Sequence, residues 1–135
     1  MSKRQLIDTN LIVRHLTQDH QAHTAAAGRL IDECDRGEIT LVILPVVLAE
    51  TLFVLESFYG HARKDIARIL VSLISSPGID LIDKAIYQNA LTQYGQSKLH
   101  FVDCVIATYA KIRDLPIATF DKELLKLPNI KIALE

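Results

Sequence analysis

Short segments rich in β-branched residues alternate with longer helical segments along the whole chain. The predicted strands are Gln5 to Ile7, Glu38 to Leu44, Ile79 to Ile82, Ile117 to Phe120 and Ile130 to Ile132. The predicted helices are 10–16, 21–36, 45–59, 62–75, 83–97 and 101–113. Parallel strands need helical crossovers of this kind, whereas antiparallel strands can be joined by tight turns. The alternation therefore predicts an α/β fold, a three-layer α/β/α domain around a central, mostly parallel sheet of four to five strands.

The composition predicts one domain over residues 1–135, because no repeat, low-complexity tract or linker interrupts the pattern. Half of the residues are hydrophobic and the mean hydropathy is +0.22, which predicts a large core, an apolar surface covered by a partner, or both. The longest nearly apolar run, Ile39 to Leu55, contains Pro45 and Glu50 and is not predicted to span a membrane.

The expected location is the cytoplasm. No basic region followed by an apolar one opens the chain, so we expect no secretory signal. The only cysteines are Cys34 and Cys104, which form no CxxC motif and suit a reducing compartment. A disulfide framework and a zinc site are therefore not expected.

The charge balance argues against a protein that binds nucleic acid by simple electrostatics. The chain has 15 basic and 16 acidic residues, for a net charge of −1. If four acids belong to one metal site, the remaining surface has 15 basic against 16 − 4 = 12 acidic residues, or +3. A mildly positive surface around an acidic pocket is compatible with a phosphodiester substrate.

The first candidate functional residue is Asp8, which follows the apolar pair Leu6-Ile7 and precedes a helical pattern. This order of strand, turn and helix predicts Asp8 at the carboxyl end of a strand, the edge where open α/β sheets bind ligands. Asn10 is the predicted N-cap of the helix, because its side chain can accept from an unpaired backbone N–H. Turn-and-cap chemistry alone would also account for these residues, so the later carboxylates decide the interpretation.

Glu50 lies inside the most apolar helical segment of the chain. Its neighbours on the same helical face are Val46, Val47, Phe53 and Val54. A carboxylate directed at such a face is costly to bury without a partner. We therefore expect an inward-facing functional acid, the alternative being an exposed acid on a partly solvated helix.

Asp103 and Asp121 repeat this pattern later in the chain. Asp103 lies in the first turn of the helix that starts at Phe101 and has apolar neighbours, which predicts an inward-facing side chain. Acids are also favoured there by the helix dipole alone. Asp121 follows the predicted strand 117–120 and is expected at its carboxyl end, where it could equally cap the next short helix. Thr119 would point to the same side of that strand.

The four carboxylates could converge on one crevice. Close carboxylates in a low-dielectric pocket cannot all stay ionised without a cation. Oxygen ligands without a His or Cys partner indicate a hard ion, Mg²⁺ or Mn²⁺. Such ions polarise a phosphate and activate water for in-line attack.

The order of these motifs resembles the PIN-domain ribonucleases, and especially the VapC-type toxins of bacterial and archaeal toxin–antitoxin pairs. The motifs are Leu6-Ile7-Asp8-Thr9-Asn10, Leu48-Ala49-Glu50, Phe101-Val102-Asp103-Cys104 and Ala118-Thr119-Phe120-Asp121. The likeness covers essentially the whole chain and shows no departure at the four acids. It implies a metal-dependent RNA endonuclease in which Asp8, Glu50, Asp103 and Asp121 form the catalytic, metal-binding cluster.

The resemblance also implies Asn10 and Thr119 in supporting roles, a homodimer, and a cognate antitoxin that covers the active site. Under this hypothesis water attacks the phosphorus and the 3′-oxygen leaves, which gives 5′-phosphate and 3′-hydroxyl ends.

Two other functions compete with this one. A haloacid-dehalogenase-like phosphatase also has an Asp after its first strand, but it needs a second Asp two residues later, where this chain has Asn10. A non-catalytic PIN-like module that binds RNA or protein would be marked by loss of one or more acids, and all four are present.

The remaining polar residues have simpler explanations. The histidines have no ligand spacing and are predicted to be surface or packing residues; they are His15, His20, His23, His61 and His100. The basic cluster Arg63, Lys64 and Arg68 is predicted to form a solvated helix face, with contact to RNA or a partner as the alternative.

Overall fold

The computed structural model describes residues 3–134. In this part of the chain, three parallel strands form the sheet. The strands are β1 (Lys3–Leu6), β2 (Ile39–Val42) and β3 (Ile79–Asp80). The helices are α1 (Thr9–Thr17), α2 (Gln21–Asp35), α3 (Pro45–Ser57), α4 (Arg63–Ile74), α5 (Lys84–Gln96), α6 (Phe101–Ile112) and α7 (Lys122–Leu125). The predicted α/β class is confirmed, and the six predicted helices and the first three predicted strands occur in the expected order.

The sheet order is β1-β2-β3, with β2 in the centre and every pairing parallel. Lys3 lies opposite Ile39 in the first pair, and Leu41 lies opposite Ile79 in the second. Since parallel strands end at the same edge of a sheet, the segments that follow β1 and β2 emerge side by side. Asp8 and the start of α3 are on these two segments.

The predicted fourth and fifth strands are reduced to a single parallel bridge between Ile117 and Ile132. The Ile117 amide donates to the carbonyl of Lys131 at 2.8 Å, and the Ala133 amide donates to the carbonyl of Ile117 at 2.9 Å. Ile117 is buried, whereas Phe120 is 91% exposed. The apolar run 117–120 therefore does not pack as a strand, and the three paired strands replace the four to five that we predicted.

The core surrounds the central strand. Leu41 of β2, Leu48 of α3, Leu70 of α4 and Leu91 of α5 are all fully buried and belong to one apolar cluster. Helix α4 packs against α5, and α5 packs against α6. This packing connects α6 and its acidic first turn to the sheet through two intervening helices. No helix within residues 3–134 has both the length and the apolar character needed to cross a membrane.

Asp83, where the predicted helix 83–97 begins, directly precedes α5, and its side chain does not cap that helix. Its φ of 54° is left-handed, whereas capping residues have an extended backbone. The carboxylate instead accepts from the Tyr109 hydroxyl at 2.6 Å and from the Arg113 guanidinium at 2.7 Å. Asp83 therefore ties the start of α5 to the end of α6.

Candidate active site

Asp8 lies just beyond β1 and is the N-cap of α1. Its backbone is extended, with φ −103° and ψ 176°, and its Oδ1 accepts from the Leu11 amide at 3.0 Å. The prediction that Asn10 is the N-cap is wrong, because the backbone is already helical at Thr9 and Asn10 lies inside the helix. Asp8 thus stands at the carboxyl end of β1 with an exposed side chain.

Thr9 connects this edge of the sheet to α3. Its hydroxyl donates a hydrogen bond to Oε1 of Glu50. Thr9 is the first residue of α1, directly after Asp8, and Glu50 is in the middle of α3. The bond therefore brings the second candidate carboxylate next to the segment that carries the first. Sequence reasoning missed this role of Thr9, although its position beside Asp8 was a signal.

The expectation that Glu50 points at a buried apolar face is wrong. Glu50 is exposed, and on the same face Val46 is 73% and Phe53 64% exposed. The buried face of α3 consists of Leu48, Thr51, Leu52 and Leu55. Because α3 is apolar almost all round, the polarity of the neighbours did not distinguish its two faces. The cost of burying an unpaired charge therefore does not apply to Glu50.

Asp103 and Asp121 lie on one cleft with a volume of about 620 Å³. Asp103 is half-buried in the first turn of α6, where the helix dipole favours a negative charge. The other lining residues come from the α5–α6 connection, from α7 and from the two residues after it: Ser97, Lys98, Leu99, His100, Glu123, Lys126 and Leu127. The cleft thus joins two candidate acids that are distant in the sequence.

Asp121 is not at the end of a strand, because residues 117–120 form only the bridge at Ile117. It is instead the N-cap of α7, and its Oδ1 accepts from the Glu123 amide at 2.8 Å. The Thr119 hydroxyl accepts from the Asp121 amide at 2.9 Å. Thr119 therefore orders the short turn that presents Asp121 to the cleft.

The structure brings the four candidate acids into two groups. Asp8 and Glu50 are linked through Thr9, and Asp103 and Asp121 share the cleft. Within residues 3–134, no three His, Cys, Asp or Glu side chains are arranged to hold a metal ion. Mg²⁺ is usually held by one or two carboxylates together with waters and substrate phosphates, rather than by an all-protein cage. The carboxylate donor set fits such an ion.

Two lysines lie on the cleft with the acids. Lys98 precedes α6, and Lys126 follows α7, where its Nζ is 3.8 Å from Oε1 of Glu123. Both lysine side chains are exposed. Sequence reasoning missed these residues, because only the fold brings the two lysines to one cleft.

Comparison with family models gives a match to the PIN domain over residues 6–130. This range contains nearly the whole chain, from the end of β1 to the residues after α7. The chain belongs to the PIN domain family. PIN domains are generally nucleases and typically bind divalent metals. Comparisons with curated proteins and with solved structures gave no match.

All the candidate residues lie within the matched part of this PIN domain: Asp8, Asn10, Glu50, Asp103, Thr119 and Asp121. The α/β architecture with a parallel sheet fits the PIN-like α/β/α fold. The family match thus supports a nuclease-like fold.

Proposed function

We propose that this PIN domain is a metal-dependent endoribonuclease and the toxin of a toxin–antitoxin pair. The observation that carries the proposal is the cleft on which Asp103 and Asp121 lie together with Lys98 and Lys126. Carboxylates attract a divalent cation, and lysines attract the phosphates of a nucleic acid backbone. A cleft with both kinds of group suits a phosphodiester substrate whose scissile phosphate meets a metal ion.

Two pairs of acids would hold Mg²⁺ or Mn²⁺: Asp8 with Glu50, and Asp103 with Asp121. Such an ion, when bound, neutralises charge on the phosphate and supplies an activated water for in-line hydrolysis. Attack of water on the phosphorus would form a new P–O bond and break the bond from phosphorus to the 3′-oxygen, which takes up a proton. The products are 5′-phosphate and 3′-hydroxyl ends.

The other residues of the chain position this chemistry. The hydrogen bond from Thr9 fixes the direction of one Glu50 oxygen, and Thr119 orders the turn before Asp121. Lys98 and Lys126 would contact phosphates on either side of the scissile bond, which fixes the register of the strand without reading its bases. Asn10, which is exposed in the first turn of α1, is proposed as a further substrate contact.

The proposal includes a homodimer and an antitoxin that covers the active site, as the resemblance to VapC-type toxins implies. Exposed apolar side chains near Glu50, such as Val46 and Phe53, support a protein partner at this surface. The two cysteines, Cys34 and Cys104, are buried free thiols, which is compatible with action in the cytoplasm.

The experiment that tests the proposal is cleavage of a linear RNA pool and of a circular RNA by purified protein freed of any partner. We expect cleavage of both RNAs with Mg²⁺ or Mn²⁺ and none with EDTA, because a circle without ends is open only to an endonuclease. RNA binding without cleavage under any of these conditions would instead favour the binding-only module.

Matched lysine variants test whether the RNA lies along this cleft. Lys98→Ala and Lys126→Ala should raise KM, because each removes a cation from the cleft. Lys64→Ala is the control, since Lys64 is exposed on α4 and does not line this cleft. Equal effects of all three substitutions would show that RNA does not run along the cleft.

A further inference from the structure

Arg63, the first residue of α4, is held in a network of contacts rather than on a solvated face. Its side chain is only 26% exposed, and its guanidinium lies 3.9 Å from the centre of the Tyr94 ring. Nε donates to the carbonyl of Tyr94 at 3.2 Å, and Nη2 donates to the carbonyl of Leu99. This corrects the prediction that Arg63 belongs to an exposed basic cluster with Lys64 and Arg68.

Glu56 and Tyr94 complete the network. Glu56 accepts from the Arg63 guanidinium at 3.5 Å and from the Tyr94 hydroxyl at 2.5 Å. Burial and the hydrogen bond to Glu56 raise the pKa of Tyr94, so its hydroxyl remains a donor. Glu56 therefore compensates the buried part of the Arg63 charge, and the planar guanidinium is fixed between a ring, a carboxylate and two carbonyls.

The two carbonyls that Arg63 binds lie on either side of the start of the α5–α6 connection. Tyr94 is in the last turn of α5, and Leu99 lies just before His100, the N-cap of α6. Phe101, the first residue of α6, packs edge-on against the Tyr94 ring at 6.1 Å. One side chain thus holds the end of one helix and the residue before the start of the next.

This connection forms one wall of the candidate active-site cleft. Leu99 and His100 line the cleft, and Asp103 follows in the first turn of α6. A shift of Leu99 would therefore move both the cleft wall and the helix start that carries the acid. No other guanidinium contact to the segment 97–100 is present in the described chain.

We propose that Arg63 is a positioning residue for the active site: by holding Leu99 against the end of α5, it fixes Asp103 and the wall of the substrate cleft. This inference rests on the proposed nuclease function. Arg63 lines none of the cleft itself and acts only through the connection. Lysine cannot replace it fully, because a single ammonium cannot stack on Tyr94 and bind two carbonyls in the same fork geometry.

The test compares Arg63→Lys and Arg63→Ala with the control Arg68→Ala. Arg68 lies on the same helix, is 72% exposed, and has only a 3.9 Å ion pair with Asp65. We expect kcat to fall by about 10- to 100-fold in the Arg63 variants, because small displacements of catalytic groups have effects of this size. KM should change less, and Arg68→Ala should resemble the wild type. Millimolar guanidinium should restore part of the kcat of Arg63→Ala.

Hydrogen exchange provides a second readout that is independent of RNA cleavage. Amides of residues 99–104 should exchange faster in Arg63→Lys than in the wild type, while those of α2, which has no hydrogen bond with Arg63 in the described chain, should not. Unchanged exchange at 99–104 would overturn the proposal, even if activity fell. Faster exchange with unchanged kcat would also overturn it, since Arg63 would then be purely structural.

The two proposals can fail separately. A wild-type protein that cleaves no RNA would refute the proposed function and the catalytic part of this inference. The exchange measurement would still decide whether Arg63 holds the connection. Arg63→Lys keeps the charge beside Glu56 and is the variant to use if Arg63→Ala does not fold.

Discussion

Gly78 approaches the end of α2 so closely that the structure leaves no room for a side chain there. A Cβ at this position would lie 2.5 Å from the Sγ of Cys34 and 2.6 Å from its carbonyl oxygen. The carbonyl of Gly78 also accepts from the Leu41 amide of β2 at 2.9 Å. Gly78 is therefore held between the sheet and α2, and Gly78→Ala should destabilise the protein.

The magnitude follows from the two short contacts. Ordinary van der Waals contact begins at 3.4 Å, so the backbone must move by about 0.8 Å to relieve the 2.6 Å approach to the carbonyl. Overpacking of this kind costs about 1–3 kcal/mol, and the stiffer unfolded chain offsets about 0.4–1 kcal/mol. The net loss is about 1–2 kcal/mol. For 135 residues this lowers Tm by about 4–7 °C.

Gly28→Ala is the matched control, and we expect it to raise Tm where Gly78→Ala lowers it. Gly28 lies inside α2, and a Cβ there would meet nothing within 4 Å. Alanine is favoured over glycine by about 1 kcal/mol inside a helix, which raises Tm by about 3–4 °C. Thermal melts followed by circular dichroism measure both changes. A Gly78→Ala protein as stable as the wild type would refute the close approach of these two segments.

Two further predictions concern the acid response and the Thr9 contact. The hydrogen bond from Tyr59 lowers the pKa of Asp19 to about 2, aided by hydrogen bonds from Arg14 and Thr17. The depressed pKa contributes stability above the unfolded pKa of about 4, and this contribution is lost as the pH falls towards 2. Tyr59→Phe should therefore flatten the fall of Tm between pH 5 and pH 2, and an unchanged slope would contradict this. Thr9→Val should raise the Mg²⁺ concentration for half-maximal cleavage about tenfold, because it frees the oxygen that the hydroxyl orients; an unchanged Mg²⁺ dependence would argue against that role.

The order of helices and strands was predictable because its signals are local. Pro45 starts α3, and Gly37 and Gly60 have left-handed φ angles of 79° and 68° after α2 and α3. Such signals lie within a few residues of the helix end that they determine. The predicted helix limits therefore differ from the observed ones by at most two residues.

The last strands were not predictable in this way, because a strand needs a partner. Residues 117–120 have strand-like composition, but only Ile117 forms a bridge, and Phe120 is exposed. Composition describes the segment itself and not the chain that lies beside it. The strand prediction therefore failed where it depended on a distant pairing.

In the candidate site too, features set by local signals were predictable, and features set by distant contacts were not. The position of Asp8 just after β1 and that of Asp103 in the first turn of α6 followed from sequence. The cap of α1 was instead assigned to Asn10, and capping by Asp121 was only the alternative to a strand end. The exposure of Glu50 and the buried contacts of Arg63 did not follow. Both depend on which side of a helix faces the core, and that is decided by packing with other elements.

The central claim is that Asp8, Glu50, Asp103 and Asp121 carry metal-dependent RNA cleavage. Asp8→Asn tests this claim most directly. Asparagine caps a helix as well as aspartate, so the substitution removes the charge and keeps the start of α1. Asp32→Asn, on the exposed side of α2, is the control for a surface acid.

The measurement is the rate of RNA cleavage by the wild type and both variants, with Mg²⁺ and with EDTA. The account predicts rapid cleavage by the wild type and by Asp32→Asn with Mg²⁺, and a loss of orders of magnitude in Asp8→Asn, whose Tm should be unchanged or higher. Cleavage by Asp8→Asn at the wild-type rate, or cleavage that survives EDTA, would contradict it.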